Sequence, residues 1–222
     1  MRANTATIVR LSRRRGLGWM RRLRKGPIAR ALTLAAIEGA VVGGMLGFLE
    51  AWIVPLLKVR LGASDQIVGL LTIVPMLAAT VLGPIAANCI GHLGGNKRAV
   101  VITSAIQVLA MASLSLPLHF SDQPWALPLA ITATVVTTSV GALGGPAWIA
   151  WMGGIIPRSI RGRFSSNRAQ VFHGARLVFA LIFMAIMSAW TPTASWVGLQ
   201  ILIVVAVLSR LVSTWLIMAT PE

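Results

Sequence analysis

The feature that most constrains this chain is a succession of unbroken apolar runs, each about 20 residues long, separated by short polar turns. A helix rises 1.5 Å per residue, so such a run crosses a hydrocarbon core of roughly 30 Å. No water reaches peptide groups there, which leaves only helices or a closed barrel. The runs are continuously apolar rather than alternating, and this excludes a barrel. Only 11% of the 222 residues are charged, against roughly 25% in soluble domains, so water cannot be the main surroundings. The sequence therefore predicts an all-α integral membrane protein. Its spans are expected at about residues 31–57, 65–90, 99–118, 126–156, 169–190 and 195–218.

Turn residues separate these runs. Gly62-Ala63-Ser64, the segment from His119 to Pro124 and Thr191-Pro192-Thr193 read as short turns, and residues 91–98 and 157–168 as longer polar connections. Three regions result: a basic arm (1–30), a six-helix bundle (31–218) and a short tail (219–222). Lys and Arg set the orientation. One side holds ten in the arm, Lys97 and Arg98 in one connection, and Arg158, Arg161, Arg163 and Arg168 in another; the opposite side holds Lys58 and Arg60. Both termini are expected to be cytoplasmic, as in a bacterial inner membrane. Trp52, Trp125, Trp190 and Trp196 near outer ends, and Trp148, Trp151 and Trp215 near inner ends, suit interfacial belts.

The net charge of +15 is concentrated in the arm, beside the first span, which points to lipid rather than nucleic acid. Residues 8–25 mix arginines with Ile8, Leu11, Leu17, Trp19 and Leu23. The arm reads as a topology signal, as a docking segment for anionic headgroups or an acidic partner, or as an organellar transit peptide.

Two acids and two arginines fall inside predicted spans: Glu38 and Glu50 in the first, Arg176 in the fifth and Arg210 in the sixth. An unpaired charge at the bilayer centre costs about 2.5–3.5 kcal/mol on insertion scales, so partners are expected. Glu38, Arg176 and Arg210 share a depth, which suggests a Glu38–Arg176 pair with Arg210 as the competing partner. Such a cluster reads as an interhelical lock, or as a site for a proton or an anionic substrate. Gly39, Gly43 and Gly47, spaced by four, allow another helix to approach closely. Thr134, Thr138, Gly141, Gly145 and Trp148 form a small, hydroxylated stripe, a packing face or a cavity lining, bent at Pro146. His173 reads as a packing residue. No spacing suggests a metal site, a cofactor or a catalytic set, so an enzyme is not expected. Cys89, the single cysteine, allows no internal disulfide.

Two stretches carry a resemblance. GPIAANCIGHLGGNKR (83–98) resembles the loop-two signature of the major facilitator superfamily: Gly94, Lys97 and Arg98 match, while Gly91 and His92 replace its acidic and basic positions. GGPAWIAWMGGIIPRSIRGRF (144–164), including Arg161, Gly162 and Arg163, is similar to the end of helix four in an uncharacterised bacterial branch, and Glu38-Gly39 fits that branch. The resemblance implies the N-terminal six-helix half of such a transporter, with helices one and five adjacent and helices one and four lining a cavity. That adjacency favours Arg176 as the partner of Glu38. It also implies transport of a small solute together with a second six-helix half, a copy of this chain or another. The alternative is a transporter-derived structural or assembly subunit of a larger membrane complex, because the acidic gate position is lost; a truncated fragment is the third reading.

Overall fold

The structure, a computed structural model, describes residues 27–189 and 195–221. Residues 1–26 of the basic arm, the expected turn at 191–193 and Trp190 lie outside the described residues, while residues 27–30 of the arm open α1. Long helices dominate, and among the described residues there is no strand. In chain order they are α1 (Pro27–Ala51), α2 (Asp65–His92), α3 (Asn96–Ser113), α4 (Ala126–Ile155), α5 (Arg161–Ser188) and α6 (Ser195–Ala219). Five segments are long and apolar enough to cross a membrane: Ile28–Ala51, Asn96–His119, Ala126–Ile155, Arg161–Ser188 and Trp196–Ala219.

Local chemistry sets the boundaries. α1 breaks at Trp52 and continues through a short turn into a π-helical segment, Leu56–Arg60. The Ser64 hydroxyl caps α2 by accepting from the Ile67 amide at 3.4 Å, with Asp65 in the first turn, where the helix dipole favours an acid. The expected connection 91–98 shrinks to three residues. Gly94 and Gly95 there take φ of +80° and +115°, conformations other residues rarely adopt. α4 passes unbroken through Pro146.

The largest departure from expectation is the start of α5. Residues 161–168, read as connection, form its first two turns. Phe164, Arg168, Phe172, Ala175, Phe179 and Phe183 recur every three or four residues and place one face against α1; Phe164, Phe172, Phe179 and Phe183 all enter the apolar clusters. Only Phe183 of this helix is buried.

Helix contacts follow a regular scheme. α1 packs against α5 and α6, α4 packs against α2 and α3, and α3 packs against α6. α1 and α4 barely touch directly. Exchanging the first three helices with the last three turns α1–α5 into α4–α2 and α1–α6 into α4–α3, and leaves α3–α6 unchanged.

The apolar core has two parts. One gathers Met45, Phe48, Leu56, Met111, Leu118, Phe183 and Leu202; the other gathers Ala35, Val100, Ala147, Trp151, Met152 and Ile217. Glycines bring α5 close to α1: a Cβ on Gly43 would lie 3.2 Å from the Arg176 backbone nitrogen, and one on Gly47 3.6 Å from the Arg176 carbonyl oxygen. Gly43→Leu should therefore destabilise the bundle by about 1–3 kcal/mol, the range for overpacking, in detergent unfolding. Gly69→Leu, at a position on α2 with nothing within 4 Å, should leave the midpoint nearly unchanged.

Candidate functional site

Between the two apolar clusters lies a layer of polar side chains. Its centre is Glu38 on α1, 4% exposed. One carboxylate oxygen, Oε2, accepts from Arg168 Nη2 of α5 at 2.8 Å. The other, Oε1, accepts from the Ser213 hydroxyl of α6 at 3.0 Å. Ser213 in turn accepts from Arg210 Nη1 at 3.0 Å, and Arg210 Nη2 donates to the Ser104 hydroxyl of α3 at 2.7 Å. Arg168 also donates from Nε to the Ala35 carbonyl at 3.1 Å and stacks 3.8 Å from the centre of the Trp148 ring on α4. One connected set thus joins α1, α3, α4, α5 and α6.

Gly39 makes the centre possible. A Cβ there would stand 3.2 Å from Arg168 Nε, so the missing side chain is the passage by which Arg168 crosses α1. The guanidinium can then meet Glu38 with its edge and Trp148 with its face, a geometry that a lysine cannot reproduce.

This corrects the expected pairing. Glu38 is bonded to Arg168, whereas Arg176 bonds the Glu50 carboxylate of α1 and lies 5.8 Å from the centre of the Phe172 ring. The cause is the early start of α5: two extra turns lower the arginine ladder, so Arg168 rather than Arg176 reaches the level of Glu38. Arg210, the expected competitor, reaches Glu38 only through Ser213. Glu50 is half-exposed, so its pair belongs to the rim of the bundle rather than to its core.

The α4 stripe divides. Thr134 and Thr138 return their hydroxyls to carbonyls of their own helix, at 2.7 and 2.9 Å. Gly141 faces α3, where an added Cβ would meet Gln107 Nε2 at 2.8 Å; Gln107 donates to the Thr137 carbonyl at 2.8 Å. Gly145 opens onto free space, and Trp148 carries Arg168. Two unforeseen glycines act as notches in exchange-related contacts: Gly44 of α1 faces Ser209 of α6, and Gly144 of α4 faces Thr103 of α3. Ser104, Ser209 and Ser213 carried no sequence signal beyond their place beside Arg210 or in a polar helix face; Arg168 carried one in the aromatic spacing through Phe164.

The loop residues tie helix ends. Lys97 donates to the Thr220 carbonyl at 2.8 Å, past the end of α6, and sits 5.8 Å from the centre of the Trp151 ring. Arg98 folds back towards Gly94. Arg161 donates to the Gly153 carbonyl and to that of Ile156 at 3.3 Å, satisfying the end of α4, where carbonyls lack helical donors. Arg163 is exposed, Gly162 has open space around it, and His173 is exposed beside Phe172. Among the described residues no group of three or more His, Cys, Asp or Glu could hold a metal ion. Comparisons with family models, curated proteins and solved structures give no match.

Removing one partner of a buried ion pair strands the other charge, at about 3–5 kcal/mol. Arg168→Ala should show a loss of that order in detergent unfolding, and Arg176→Ala a smaller one because Glu50 stays half-exposed. Glu38→Gln should cost at least as much, because it takes the shared carboxylate from Arg168 and, through Ser213, from Arg210; equal effects of Arg168→Ala and Arg176→Ala would refute the assignment.

Proposed function

We propose that this chain is one half of a secondary transporter for a small solute: a six-span bundle, with α2 as the remaining span, resembling the N-terminal half of a major facilitator superfamily protein. The observation that carries the reading is the packing scheme. Every principal contact maps onto another, or in the case of α3–α6 onto itself, when α1–α3 are exchanged with α4–α6. Three crossings separate the related helices, so they run in opposite directions, as in the inverted repeats on which many transporters are built. α1 and α4, related by the exchange, are held by α6 and α3 and scarcely touch each other. Their common side, flanked by α5 and α2, is where a second bundle completes a central pathway.

In this reading the termini and the arginine-rich start of α5 face the cytoplasm of a bacterial inner membrane, where the arm meets anionic headgroups. The second bundle is a further segment, a second copy or another chain. The competing reading, a structural subunit of a larger complex, is favoured by one observation: Gly91 stands where the resemblance calls for a gating carboxylate, and a Cβ there would meet nothing within 4 Å.

Native mass in mild detergent, from source membranes and with every co-purifying chain identified, separates the two. The transport reading expects a unit of two bundles that supports solute flux in liposomes. A lone bundle, or a fixed place among unrelated subunits without flux, would overturn it. For orientation, cysteines placed singly at the exposed Arg163 and Asp122 in a Cys89→Ser background should label from opposite sides, residue 163 from the cytoplasm. Labelling of both from one side would refute the arrangement.

A further inference from the structure

The charges of the polar layer do not balance. The sequence contains five acidic residues, and four are described: Glu38, Glu50, Asp65 and Asp122. Glu50 is taken by Arg176 and Asp65 by Lys58, while Asp122 lies in the connection before α4. Arg168 and Arg210 therefore share one carboxylate, Glu38, and the layer carries an excess of one positive charge within the membrane spans. Arg210 is 9% exposed, and its Nε is buried with no hydrogen-bond partner among the described residues. Inside a bundle an unbalanced charge of this kind is costly unless something neutralises it.

The geometry also shows where the neutralising group would sit. Arg168 uses Nε on Ala35 and one bond of Nη2 on Glu38, while Nη1 makes no hydrogen bond among the described residues. Its side chain is 19% exposed, whereas that of Glu38 is 6% exposed. The guanidinium is held from both sides, by the carboxylate and by the Trp148 ring at 3.8 Å, so its orientation is fixed before any ligand arrives. Gly145, one turn before Trp148, leaves open space on the same helix. A fixed guanidinium edge with unused N–H groups matches a group with two oxygens on one centre.

We propose that Arg168, backed by Arg210 and braced by Glu38 and Trp148, binds a small oxyanion, a carboxylate or a phosphate, on the side shared by α1 and α4. As the substrate class of a transporter this rests on the preceding reading; as a binding site it stands without it. The oxyanion comes either from a free solute or from the headgroup of an anionic lipid, since both present the same oxygens.

The test uses the full chain in neutral detergent, with thermal unfolding followed against inorganic phosphate, acetate and, at equal ionic strength, chloride. Saturable stabilisation by phosphate or acetate beyond that of chloride is expected. Arg168→Lys keeps the charge and loses the fork, and should weaken the apparent affinity about tenfold or more. Glu38→Gln keeps an oxygen that can accept the Arg168 hydrogen bond and removes the negative charge that opposes the anion, so a variant that folds should bind the anion more tightly; a purely structural pair predicts no such gain. Lipid analysis separates the sources. Stoichiometric anionic phospholipid retained by the wild type and lost in Arg168→Lys identifies a headgroup, and stabilisation of lipid-stripped protein by the soluble anions identifies a solute. No saturable effect and no retained lipid, or effects unchanged in Arg168→Lys, would overturn the proposal. Anion binding by a chain that never pairs with a second bundle would sink transport and leave the site; a paired, transporting chain without anion binding would do the reverse.

Discussion

A carboxylate placed inside a membrane span has to be answered by other side chains, and most of this architecture can be read as the answer to Glu38. Arg168 reaches it from α5 because Gly39 leaves α1 bare at the crossing point. Ser213 reaches it from α6 and relays it to Arg210, which in turn engages α3 through Ser104. Trp148 brings α4 into the same set through the face of the guanidinium. Hydrophobic burial does not drive one helix against another in lipid as it does in water. The polar layer and the glycine notches therefore carry much of the specificity of packing, and the apolar clusters on either side fill in around them.

The same elements explain why the bundle has a front and a back. α3 and α6 meet behind, joined to α4 and α1 through Gly144–Thr103 and Gly44–Ser209, contacts related by the exchange of halves. The two halves of the chain thus solve one packing problem twice with different residues. The symmetry breaks at the charges, because Glu38, six residues before Gly44, is answered by Arg168 and, through Ser213, by Arg210, while Thr138, six residues before Gly144, bonds only carbonyls of its own helix. Chemistry is added to the repeat on one side only.

Much of the fold was legible. Apolar run length placed the five segments able to cross a membrane, most ends within a few residues and the start of α5 too late, because in hydrocarbon that length is the dominant constraint. The Gly39–Gly43–Gly47 spacing identified the face that receives α5. The candidate site was legible in its acid but not in its base. Arg168 stood in a stretch of Ser, Asn and Arg that composition assigns to a loop, yet a helix start depends on the face its side chains share, and Phe164 continued that face. Depth counted from the wrong start moved the pair by two turns, from Arg168 to Arg176. The hydroxyl relay through Ser213 and Ser104 was not legible, since a serine in a span reads the same whether it bonds its own helix or bridges two charges.

Glu38 and Arg168 are 130 residues apart in the chain. At about 5–20 residues per second, synthesis delivers α5 roughly 6–26 s after α1. For that interval the acid of α1 is without the arginine that answers it in the folded protein. Arg210 follows later still, so the network closes only once α6 has been made. The order of synthesis therefore sets the order in which this network can close, and a chain that stops before α5 leaves Glu38 without Arg168.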